Sequence, residues 1–195
     1  MPTYLFSVAS PQAQIAFAVL IIAFWGSEAV IASRARARGM DRTNHRGSLR
    51  LVSIVFPISW WAGVALIRVP HASFGSARIF DSGLLLMASG QLLRWWSIAT
   101  LGRLSTVKVS AADRLLIDTG PYRFVRHPSC TAILLVHLGA GLCFGNVLTV
   151  GVLVLPVAAA LLYRMHVEET ELLHELGPSY LDYIARTRRL IPLIY

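Results

Sequence analysis

Apolar residues gather along the chain in five blocks, each closed by a polar stretch. The first runs over about 12–32, with Glu28 as its one charge, and the second over about 51–67, with Pro57 as an expected kink. The third covers about 79–101 and holds Asp81, Gln91 and Arg94. The fourth and fifth, about 130–144 and 147–163, are separated only by Gly145-Asn146. So short a link predicts an antiparallel helical hairpin. Gly141 and Gly145 stand at GxxxG spacing with Gly139 nearby, which lets helix backbones approach closely. The last two blocks are at the short end for a bilayer crossing, but the set reads as an all-α polytopic membrane protein with about five transmembrane helices in one domain. A helix is expected to continue from the fifth block to about Leu176, where Gly177-Pro178 stops it. Ser179 with Asp182 then resembles a capping box opening a short final helix.

Composition agrees with this pattern. Hydrophobic residues make up 55% of the 195, and charged residues only 14%, against about 25% in soluble domains. The mean hydropathy is +0.60. The net charge of +8 comes from 18 basic and 10 acidic residues, and all the basic ones except Lys108 are Arg. This excess lies between apolar blocks, so it reads as a topology signal and an attraction to anionic headgroups, not as a nucleic-acid surface. With the first terminus outside, segments 33–50, 102–129 and 164–195 carry fifteen basic residues and the outer links only Arg68 and Arg78. That bias places the C-terminus and the polar segments in the cytoplasm. Met1 to Ser27 holds no charge, so the first block is expected to be retained as a span and not cleaved. Cys130 and Cys143 form no CxxC and read as small packing residues.

Two polar clusters flank the hairpin: Leu115 through Pro128, and Arg164 through Glu169. A hairpin returns the chain to the side it left, so both should meet at one mouth. His127 can exchange a proton near neutral pH, Glu168 and Glu169 suit a cationic group, and Arg126 and Arg164 suit a carboxylate or phosphate. Tyr122 offers an aromatic face to a cation. Structural readings stand beside these. His127-Pro128 can mark only the entry of a helix, and Arg164–Glu168 can be an ordinary i,i+4 pair on a solvated face. Asp81 and Arg94 can be interfacial anchors or can face protein. Gly139-Ala140-Gly141 lies in an apolar helix and signals packing, not a dinucleotide loop. Glu171 and His174 form a lone ExxH, which supports no metal site.

Taken together, the pieces resemble the isoprenylcysteine carboxyl methyltransferase family and its prokaryotic relatives, which are also similar to phospholipid N-methyltransferases. The resemblance covers roughly Leu92 to Pro192. It rests on Leu93-Arg94-Trp95-Trp96, Thr100-Leu101-Gly102, Gly120-Pro121-Tyr122-Arg123, Arg126-His127-Pro128, Arg164 before Glu168-Glu169, Leu176-Gly177-Pro178-Ser179-Tyr180 and Arg189-Leu190-Ile191-Pro192. It implies S-adenosyl-L-methionine as methyl donor, with S-adenosyl-L-homocysteine as product, bound in a cytoplasmic pocket completed by the helical tail. Leu116, Ile117, Gly120, Tyr122, His127 and Pro128 would line that pocket, and Glu168 and Glu169 would hold the donor's polar end. Arg126 and Arg164 would orient a substrate carboxylate, so the catalytic set is Arg126, Arg164 and Glu168. The acceptor would be an isoprenoid- or lipid-linked molecule entering from the bilayer of a prokaryotic inner membrane, with no nucleic acid, metal or obligate protein partner. The family commonly has Tyr two residues after the Pro, where this chain has Cys130. Alternatives are an N-methyltransferase acting on an amine, and an NADPH-dependent membrane reductase, whose His-Pro segment is similar; the Glu168-Glu169 doublet favours the methyltransferase.

Overall fold

The computed structural model describes residues 9–37, 46–67, 69, 73–74, 76–105 and 116–191. Lys108, Arg114 and Leu115, much of the first basic loop and Pro192 lie outside them. The described residues form six α-helices: α1 Pro11–Ala37, α2 Arg46–Leu66, α3 Ala77–Ser105, α4 Pro128–Phe144, α5 Val147–Leu176 and α6 Pro178–Arg186. The all-α membrane architecture is therefore as the apolar blocks predict, with each helix longer than its block where polar turns extend it. Among the described helices, α1, α2 and α5 are long and apolar enough to cross a membrane, and α4 is apolar but has 17 residues. α3 has 29 residues and carries Arg78, Asp81, Gln91 and Arg94. Large apolar side chains face outward as lipid contact requires: Ile22, Trp61, Leu85 and Leu155 each leave 70% or more of their surface exposed.

The turn between α4 and α5 is built as its two residues dictate. Gly145 takes a left-handed conformation (φ 61°) that closes α4. Asn146 then caps α5, its side-chain oxygen accepting from the backbone N–H groups of Leu148 (2.9 Å) and Thr149 (3.2 Å). Its amide nitrogen donates to the carbonyls of Leu66 and Val69, so the end of α2 is fastened to the same turn.

The hairpin partners are not each other's main neighbours. α4 packs most extensively on α3, and α5 on α2. The α3–α4 contact is a backbone approach: a Cβ placed on Gly139 would lie 2.5 Å from the Gly83 carbonyl oxygen, and one on Gly90 would lie 2.8 Å from that of Ala132. On the other face of α4, Gly141 meets Val150 of α5. Glycine thus serves two interfaces, and GxxxG covers only the local one. α2 is tied to α4 by Trp60, whose indole N–H donates to Nε2 of fully buried His137 at 3.2 Å. His137 Nδ1 faces the Ile133 carbonyl at 2.8 Å, a pairing that a neutral imidazole satisfies.

Thirty residues make α5 about 45 Å long, against a hydrocarbon core of roughly 30 Å. Its last turns, with Glu168 and Glu169, therefore stand beyond the apolar layer. Gly177 breaks the helix as expected. It also caps α6; the Ser179 side chain makes no capping bond, so the capping-box expectation is corrected. Pro178 has already taken the first helical position, one residue too early for Ser179 to cap.

Candidate active site

The hairpin brings the two polar clusters together. Glu169, on a buried face of α5, receives the Arg126 Nε at 3.0 Å and faces His127 Nε2 at 3.1 Å on one oxygen. Its other oxygen accepts from Arg189 at 2.6 Å and 3.0 Å. Burial alone would raise the Glu169 carboxyl, but hydrogen bonds from His127, Arg189 and Arg126 outweigh it and hold the group at about 2. Arg126 Nη1 donates further to the carbonyls of Thr187 (2.8 Å) and Ile184 (3.3 Å).

This knot closes a backbone clasp. Segment 124–127 runs parallel to 188–189, with the Arg126 N–H on the Arg188 carbonyl (2.7 Å) and the His127 N–H on that of Arg189 (3.0 Å). The Thr131 hydroxyl donates to the Leu190 carbonyl at 2.7 Å. On α6, the Tyr183 hydroxyl donates to the Tyr122 carbonyl at 2.7 Å. Burial pushes its phenol up to about 12, so it stays a donor. Arg186 makes an exposed pair with Asp118.

Glu168 sits one residue away and about 100° around α5. It is partly exposed and, among the described residues, pairs only with Arg164, four residues earlier, at 3.5 Å. Its charge reaches Tyr122, Cys130 and Tyr180. Buried polar atoms nearby with no hydrogen-bond partner among the described residues include Arg164 Nη1 and the hydroxyl of Tyr180. Tyr180 is 1% exposed, and burial, then Glu169, raises its phenol, which keeps it protonated.

The other expected residues fall around this mouth. Gly120 opens a 3-10 turn, Gly120–Arg123, at φ 59°; a Cβ there would lie 2.9 Å from the Thr100 hydroxyl of α3. Leu116 and Ile117 are half-buried just before it, and Tyr122 is buried within it. Pro128 is fully buried at the first position of α4. Cys130 lies one turn into the mouth side of that helix, buried and within electrostatic reach of Glu168, Arg164 and Arg94.

Arg126, His127 and Glu169, expected to face substrate and donor, are hydrogen-bonded to one another, and Arg126 also to the tail carbonyls. Arg189 had entered only as part of a motif and as topology charge, yet it is the second cation on Glu169. Glu28 and Arg94 also belong near the mouth: they form a two-pronged pair between α1 and α3, at 2.8 Å and 3.0 Å. Opposite charges in two separate apolar blocks invite pairing, but no local pattern says which charge meets which.

These features define an all-α integral membrane protein whose helical hairpin presents a polar, partly unsatisfied mouth closed by its C-terminal tail. Residues 83–174 match the isoprenylcysteine carboxyl methyltransferase (ICMT) family. A protein-S-isoprenylcysteine O-methyltransferase of Schizosaccharomyces pombe (strain 972 / ATCC 24843) is 30% identical over 116 residues, 58% of this chain and 49% of that protein. Uncharacterized protein YpbQ of Bacillus subtilis (strain 168) is 24% identical over 117 residues, 60% of this chain and 58% of that protein. The chain thus aligns with about half the length of these curated relatives.

Proposed function

We propose that the chain is a membrane methyltransferase that uses S-adenosylmethionine to methylate the carboxylate of an isoprenoid- or lipid-linked acceptor. The observation that carries this reading is the unsatisfied half of the mouth: a half-exposed Glu168 beside two buried, partnerless groups, Arg164 Nη1 and the Tyr180 hydroxyl. Buried polar atoms are normally paired, so these donors call for an acceptor that a ligand brings. A ligand with an amino-acid end fits: its ammonium suits Glu168, and its carboxylate suits a buried phenol or guanidinium. S-adenosylmethionine, when bound, supplies a methyl on a sulfonium.

The chain's own residues then have limited tasks. A carboxylate acceptor is a nucleophile at neutral pH, so no general base is needed. Arg164 orients an anion through its unpaired nitrogen while Glu168 holds the guanidinium in place. Tyr122, Pro128 and Cys130 form a buried wall that keeps water from the reacting groups, which favours a step in which opposite charges cancel. Arg126, His127, Glu169 and Arg189 hold the tail over the mouth. The positive-inside bias supports a cytoplasmic position for this face, with the acceptor entering from the bilayer.

Calorimetric titration of the purified protein with S-adenosylhomocysteine tests the reading. Binding by the wild type, weakened in Glu168→Gln, is the expected result. Binding of NADPH with no heat from S-adenosylhomocysteine would replace it with the reductase reading.

A further inference from the structure

A second polar seam lies between α1 and α3, beside the mouth. Gln91 is 2% exposed in an apolar helix. Its amide nitrogen donates to the Ser27 hydroxyl at 3.2 Å, and that hydroxyl donates in turn to the Phe24 carbonyl at 2.9 Å. The Ser27 proton is thus committed, which sets the Gln91 amide with its nitrogen toward α1. Its oxygen is buried and has no partner among the described residues. One turn toward the mouth, Glu28 grips Arg94. The Arg94 charge reaches Tyr122 and Cys130, so seam and mouth are electrostatically continuous. On the lipid side the seam is flanked by exposed Leu92 and Trp95.

A buried, unpartnered carbonyl oxygen beside a fixed charge pair is an acceptor waiting for a donor, and the apolar flanks say that the donor arrives on an amphiphile. We propose that the Ser27–Glu28–Gln91–Arg94 seam binds the headgroup of the lipid-borne acceptor, with the Gln91 oxygen accepting from a neutral N–H or O–H next to the reacting group. This rests on the acceptor reading above and assigns the recognition step to α1 and α3.

The test is binding, so it does not depend on turnover. Full-length protein in lipid nanodiscs is titrated with N-acetyl-S-farnesylcysteine, which carries an amide N–H, and with S-farnesylthiopropionate, which has the same tail and carboxylate without it. The wild type is expected to prefer the first by about three- to tenfold, the worth of one net hydrogen bond. Gln91→Met, apolar and of similar volume, is expected to bring the ratio to about one while S-farnesylthiopropionate still binds. If Gln91→Met loses both ligands through misfolding, Ser27→Ala decides: it frees the amide and should shrink the ratio. Equal affinities in the wild type, no binding of either probe, or an unchanged preference in the variants would overturn the proposal. Discrimination without methylation of either probe would leave the seam standing and remove the methyl-transfer reading instead.

Discussion

Glu168 and Glu169 are neighbours in the chain and opposites in the structure. Glu169 has every lone pair engaged by Arg126, His127 and Arg189, and Arg126 is itself engaged by the tail carbonyls. Glu168 has one long contact with Arg164, and the groups beside it are buried without partners. A saturated polar cluster holds a fold together; an unsaturated one leaves capacity for a ligand. The step of about 100° per residue around α5 separates the two. One carboxylate turns into the clasp and the other into the mouth.

The largest effect that could break this comparison is loss of the Glu169 charge. Glu169→Gln leaves two guanidinium groups and His127 around a neutral amide, and should cost about 3–5 kcal/mol of stability. Thermal unfolding in detergent would show it. Glu168→Gln should stay within about 0.5 kcal/mol of wild type in the same assay and lower affinity for S-adenosylhomocysteine roughly tenfold. Equal destabilisation by the two would mean that the distinction is wrong.

Acid provides the same test without mutation. Glu169 sits at about 2 in the folded protein against 4.5 ordinarily. A lowered folded value gives stability that is complete above the unfolded value and is lost as pH falls through the folded one. The unfolding temperature of the wild type should therefore drop on acidification from about pH 5 toward 2, and Glu169→Gln should drop less over that range.

On the mouth side, Arg164→Ala should lower turnover about ten- to a hundredfold, the worth of one charge-assisted hydrogen bond. Its unfolding temperature should stay close to wild type, since its pair with Glu168 is partly exposed and long. Single-turnover kinetics with labelled donor would measure it.

The smallest contrast lies on α6. Tyr183→Phe removes a bond to the Tyr122 carbonyl and should cost about 1 kcal/mol of stability. Tyr180→Phe removes a hydroxyl with no described partner, so stability should hold or rise slightly. Its S-adenosylhomocysteine affinity should instead fall about threefold.

Much of the helix plan was legible in the chain. Apolar blocks marked the helices, Gly145-Asn146 marked a turn whose φ and cap are local properties, and Gly177-Pro178 marked the break after α5. A two-residue link between two apolar blocks is enough to put Arg126, His127 and the Glu168-Glu169 doublet at one end of the bundle. The Glu28–Arg94 pair, the Gln91–Ser27 seam and the role of Arg189 were not legible. Their partners lie 66, 64 and 20 residues away, and no local pattern encodes such pairings.

Local sequence thus determined where this protein is helical, where it turns and which of its ends is polar, because hydropathy, backbone freedom and capping act over a few residues. Tertiary structure decided which charges are spent and which stay available. Saturation depends on how many donors distant segments bring to one oxygen, and only the folded bundle with its tail clasped back supplies that count.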